Sequence, residues 1–131
     1  MLFTKETITS FTKLTLTLKG MRGIEEYEIT CSGADAEIAR YTRFYTRDED
    51  DRQLVKSVTK PADDVIALMN GYGLLRWDGF DGPNPKNVRD GIMFLLTAQV
   101  NGGRTIRAEG SNNYPKHYHE FMSAIHELLY E

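Results

Sequence analysis

Residues 91–131 write out, in order, a strand, a glycine-containing turn, a second strand, a polar loop and an amphipathic helix: GIMFLLTAQV, NGG, RTIRAEG, SNNYP and KHYHEFMSAIHELLYE. The apolar residues set the register of this hairpin. Ile92, Phe94, Leu96, Ala98 and Val100 share one face of the first strand, and Ile106 and Ala108 share one face of the second. A two-residue Gly102-Gly103 turn would pair odd with even positions and put these groups on opposite faces, since a slip of one residue turns every side chain over. A three-residue Asn101-Gly102-Gly103 turn brings them to the same face and offers Gly103 the left-handed conformation such loops need. That register sets Ala98 opposite Ile106 and Phe94 opposite Gly110. Residues 111–114 then lie beside Asp90-Gly91, where the loop of residues 77–90 enters, so two polar loops distant in sequence become neighbours.

Alternation organises the first half of the chain. Leu14, Leu16 and Leu18 oppose Lys13, Thr15 and Thr17, the period-2 pattern of a half-buried strand. After a turn bracketed by Gly20 and Gly23, Tyr27, Ile29 and Cys31 face inward while Glu26, Glu28 and Thr30 face out. Residues 36–46 and 53–59 read as two further strands, with the charged run 47–52 as the hairpin tip, which completes a four-stranded meander. Pro61 then opens a helix, with Asp63 and Asp64 near its positive end. Val65, Ile66, Leu68, Met69 and Tyr72 form its apolar stripe, and Gly71 and Gly73 end it. Residues 77–90 form a loop pinned by Trp77 and Phe80. The last helix is expected to start at Asn113 as cap with Pro115 in its first turn, burying Tyr118, Phe121, Met122, Ile125, Leu128 and Leu129. The sum is ββββ-α-ββ-α, an α+β fold in which two amphipathic helices pack on antiparallel sheet, as one domain over residues 1–131.

Composition narrows the function. Lys plus Arg number 16 and Asp plus Glu 19, a formal charge of −3, which argues against nucleic acid or an anionic membrane as a dedicated partner. One cysteine excludes an internal disulfide. The first twenty residues alternate apolar with Thr and Lys and lack the continuous apolar run of a secretory leader, so a cytoplasmic, bacterial-type protein is expected.

The familiar catalytic signatures are missing. On a helix His117 and His119 point about 200° apart, and His119 and His126 are separated by about 10.5 Å of rise, so neither pair closes on one ion. Cys31 on an inward face reads as an inert thiol. No G-x-S-x-G, no phosphate-binding G-x-x-x-x-G-K and no complete dinucleotide fingerprint is present. Asp78, Asp81, Asn84 and Asp90 crowd one loop, but their spacing does not match an EF-hand and Asp-Gly pairs make turns for their own reasons. Tyr41, Arg43 and Tyr45 alternate on one strand face, an arrangement that can stack single-stranded bases; alternatively the arginines pair with Glu25, Glu26 and Glu28.

Trp77-Asp78-Gly79-Phe80, then Asp90-Gly91, then Gly110-Ser111-Asn112-Asn113-Tyr114-Pro115 form a spaced set over residues 61–131. This set resembles an uncharacterised bacterial domain found in small single-domain proteins and in lipoproteins of gut Firmicutes and Bacteroidetes. The resemblance implies no assigned activity and carries over no catalytic residue. The expectation is a non-enzymatic binding domain, without cofactor or metal, whose partner is a protein rather than a membrane or nucleic acid. Its site is expected where loops 77–90 and 110–114 meet, at Trp77, Asp78, Asp81, Asp90, Ser111, Asn112 and Asn113. Two other readings stand beside it: a hydrolase using carboxylates of that loop end, and single-strand binding on the Tyr41/Arg43/Tyr45 face.

Overall fold

The computed structural model describes residues 6–21, 23–44, 51–83 and 91–130. In chain order these form β1 (Phe11–Gly20), β2 (Gly23–Ser32), β3 (Asp35–Arg43), β4 (Gln53–Pro61), α1 (Ala62–Gly71), a 3₁₀ helix (Leu74–Trp77), β5 (Asp81–Gly82), β6 (Met93–Val100), β7 (Arg104–Ser111) and α2 (Tyr118–Tyr130). The strands make one sheet in the order β4-β3-β2-β1-β6-β7-β5, antiparallel except for the β5–β7 pair.

The α+β class stands, with corrections to its detail. The stretch read as a loop over 77–90 contains the end of a 3₁₀ helix and a two-residue strand. β3 runs Asp35–Arg43 and residue 44 is no longer strand, while residues 45–50, the end of the expected strand 36–46 and most of the expected tip 47–52, lie outside the described residues. The last helix starts at Tyr118, not beside Asn113. Asn112 (φ 51°) and His117 (φ 71°) are both left-handed, so no helix can run through 112–117. Pro115 accepts the Tyr118 N–H at 3.1 Å and so caps a turn ahead of the helix.

The β6–β7 hairpin has the register the apolar pattern requires, with Ala98 opposite Ile106 and Phe94 opposite Gly110. Its turn uses three residues with positive φ, Asn101 (51°), Gly102 (74°) and Gly103 (147°). The Asn101 side chain has a second task, accepting the Thr9 N–H at 2.8 Å and donating to Thr7 O at 2.9 Å. Asn70 grips the same segment, with its amide bonded to both Ile8 N and Ile8 O. The N-terminal approach to β1 is therefore held from both sides.

Both helices contribute to a core on one face of the sheet. Leu14, Leu16, Tyr27, Ile29, Ile38, Phe94, Leu96, Ala98 and Ile106 meet Val65, Met69, Leu74, Trp77, Phe121, Ile125 and Leu129 in one buried cluster. On the other face Glu26, Glu28, Arg43 and Arg52 form a lattice of ion pairs. Arg52 is bidentate to Glu28 at 2.7 and 3.2 Å and holds its carboxyl below the usual 4.5. No helix among the described residues is long and apolar enough to cross a membrane.

Candidate functional site

Backbone bonds bring the two polar loops together along the free edge of β7. Gly79 N–H donates to Arg107 O at 2.8 Å and Glu109 N–H donates to Phe80 O at 3.0 Å, after which Asp81-Gly82 joins as β5. Asp78 completes this edge by accepting the Arg107 N–H at 3.0 Å. Asn112 is clamped to the start of β6: its Oδ1 accepts the Ile92 N–H at 3.0 Å, and its own N–H donates to Ile92 O at 3.1 Å. Asn113 Nδ2 donates to Pro83 O at 3.4 Å. The glycines make room for this knot. A Cβ at Gly91 would overlap the Asn112 amide, and one at Gly110 would overlap the Asn113 carbonyl oxygen.

The residues expected at a site thus divide into groups. Asp78, Asn112 and Asn113 are engaged in holding backbone. Trp77 is buried, 2% exposed, with its indole N–H donated to Lys116 O at 3.0 Å. Asp81 and Ser111 line a hollow of about 220 Å³ with Thr17, Lys19, Met93 and Glu109. Asp90, like Asn84, lies outside the described residues. Asp81 and Glu109 are register neighbours, but both are exposed and Glu109 lies 3.7 Å from Arg107. Among the described residues no three His, Cys, Asp or Glu side chains converge as metal ligands.

Beside the knot lies a larger concavity. The end of α1, the 3₁₀ helix and the turn before α2 enclose about 450 Å³, a size typical of small-molecule sites, lined chiefly by Tyr72, Leu75, Phe80, Tyr114, Arg76 and Lys116. Its lining residues Tyr114 and Trp77 join it to a buried aromatic stack. Tyr114 lies 4.6 Å from Tyr118 and 5.4 Å from Phe94, and Trp77 meets Phe121 edge-on at 5.5 Å. Burial raises the phenols of Tyr114 and Tyr118 above their ordinary value, so both stay neutral donors. His117, held left-handed, pairs with Glu120 at 2.7 Å and leans its ring toward Tyr72.

A polar cluster joins α2 to the sheet elsewhere. Tyr27 donates its hydroxyl proton to Glu25 at 2.6 Å, so His126 Nε2, also 2.6 Å from that oxygen, must carry the hydrogen it shares. Arg40 bonds Glu25 at 2.5 Å and the Tyr130 hydroxyl at 2.7 Å. Burial first, then the Glu25 carboxylate, pushes the Tyr27 phenol far up, which unsuits it as a base or nucleophile near neutrality. Its geometry is that of a latch for the end of α2. Glu25 also lines a hollow of about 440 Å³ with Leu18, Met21, Ile24, Phe44 and Ile92. On the opposite face, the Arg52 guanidinium covers the Tyr41 ring at 3.8 Å and Arg43 bonds Glu26, while Tyr45 is outside the described residues. One face of the Tyr41 ring is therefore already occupied by a cation of the chain itself.

Sequence reasoning passed over Tyr72, Arg76, Tyr114 and Lys116 as recess residues, and over the Glu25–Tyr27–His126 cluster. One signal was available for the cluster: by alternation Glu25 falls on the inward face with Tyr27, and a carboxylate on an apolar face needs partners. No such signal marks Arg76 or Lys116, because only folding brings the two side chains to one rim. No family model, no curated protein and no solved structure matches this chain.

Proposed function

We propose that this chain is a non-enzymatic binding domain whose recognition site is the aromatic recess at the loop end, between α1, the 3₁₀ helix and residues 114–117. One observation carries the reading: a 450 Å³ concavity lined by Tyr72, Leu75, Trp77, Phe80 and Tyr114, with the exposed side chains of Arg76 and Lys116 beside them. The knot beside it supplies what a recognition site needs underneath, a backbone that does not shift when a ligand arrives. Trp77 belongs to both, since its ring lines the recess and its N–H fixes the carbonyl of Lys116. The Tyr114 phenol in the recess, raised by burial, favours hydrogen-bond donation over proton abstraction. The single cysteine, unpaired and half-buried, fits a reducing cytoplasm.

A fragment screen followed by amide NMR tests this. Saturable shifts clustered on residues 72–77 and 114–117 are the expected result. Hits scattered over the surface, or gathered in the hollow of Asp81 and Ser111, would remove the recess as the site.

A further inference from the structure

Two cations stand at the recess. Arg76, in the 3₁₀ helix, and Lys116, in the turn before α2, both line it, and neither has an ion-pair partner among the described residues. Of the other polar groups of the lining, Glu6 pairs with Arg104 and the His117 ring bonds Glu120. α1 ends at this recess with no basic residue in its last turn, and the dipole of a helix places about half a negative charge at that end. Two positive charges less that half leave a surplus of about 1.5 in a chain whose formal charge is −3. The main chain under both side chains is fixed, since Arg76 N–H donates to Gly73 O at 3.0 Å and Lys116 O receives the Trp77 indole at 3.0 Å. The charged tips remain in solvent, able to close on a ligand.

Resting on the binding reading above, we infer that the recess takes a small organic anion with a planar apolar body, an aromatic carboxylate being the simplest case. The ring lies among Tyr72, Phe80 and Tyr114, where stacking and burial hold it. The carboxylate faces outward to Arg76, whose planar fork matches its two oxygens, and to Lys116, which adds a point charge. Such a site discriminates by charge. A neutral amide of the same shape fills the apolar part and leaves both cations as they were.

The ¹⁵N-labelled full chain tests this with 2-naphthoate and 2-naphthamide. The chain has one tryptophan, so a single indole N–H resonance reports on the recess. Naphthoate is expected to shift it saturably and to bind about tenfold more tightly than naphthamide, with the advantage shrinking as salt rises. Arg76→Gln combined with Lys116→Gln should lower naphthoate affinity by about tenfold and leave naphthamide affinity and Tm unchanged, because both side chains are exposed. Equal affinities for acid and amide, or a double variant that binds naphthoate as before, would overturn the anion assignment and leave the recess as a binding site. If neither probe moves the indole resonance while other fragments do, the anion assignment again falls alone. If no compound moves it, the binding reading falls as well.

Discussion

The knot and the recess share a wall at Trp77 and use their polar residues in opposite ways. In the knot, side chains that look like ligands are occupied by the chain itself. Asp78, Asn112 and Asn113 each satisfy a backbone group that would otherwise lack a partner where regular pairing stops. In the recess, the side chains of Arg76 and Lys116 have no ion-pair partner among the described residues, and they stand beside aromatic side chains that line the same concavity. The difference teaches where recognition can reside. A group already committed to holding the fold has little left to offer a ligand, whereas an unneutralised charge beside apolar surface gains most from one.

The strongest way to break this contrast is Gly110→Ala. Its methyl would overlap the Asn113 carbonyl and stand 2.8 Å from the Phe94 ring. Neither can retreat, because Asn113 is held between strands and Phe94 is packed in the core, so a loss of about 3 kcal/mol or more is expected. Urea unfolding measures it, and a cost below about 1 kcal/mol would mean the knot is loose.

Asn112→Ala comes next, at about 2 kcal/mol. It removes the acceptor for Ile92 N–H and places alanine at a φ of 51°, each costing roughly 1 kcal/mol. Asn112→Gly sharpens the comparison by separating the two, since glycine accepts that backbone freely. If the two variants are equally unstable, the hydrogen bond is the whole effect.

The smallest effect concerns the buried aromatic stack behind the recess and appears only in alkali. Burial holds Tyr118 above its ordinary value of 10.0. A folded-state pKa above the unfolded one means stability is complete below about pH 10 and declines as pH rises beyond it, because the unfolded chain gives up its proton first. Alkaline unfolding followed by tyrosinate absorbance should show Tyr118 ionising with the loss of structure, and Tyr118→Phe should flatten that decline. Ionisation of every tyrosine in the intact fold would show that the aromatic stack behind the recess is open to solvent.

Much of this architecture was legible because period-2 patterning leaves a strand with one buried face few choices. The β6–β7 register follows from Phe94, Leu96, Ala98, Ile106 and Ala108 alone, and with it the meeting of Asn112 and Gly91. Helix boundaries were harder to read. Residues 113–117 have the composition of a capped helix start, yet Asn113 is drawn against Gly110 and Gly82 and the helix waits for Tyr118. β5 was invisible in advance, since two residues, Asp81 and Gly82, carry no periodicity and become a strand only because β7 offers a free edge. The two loops expected to meet at that end do meet, and of the residues named there Trp77, Asp78, Asn112 and Asn113 are spent in tying them.

What the order of residues determined unaided was alternation, turn chemistry and hence which strands pair and in what register, since each depends on neighbours within a few positions. Only the tertiary structure decided which polar groups would be consumed in holding loops and which would be left facing a cavity. That division depends on distances between segments far apart in the chain, such as Trp77 and Lys116 or Asp78 and Arg107. Local pattern has no means of encoding them.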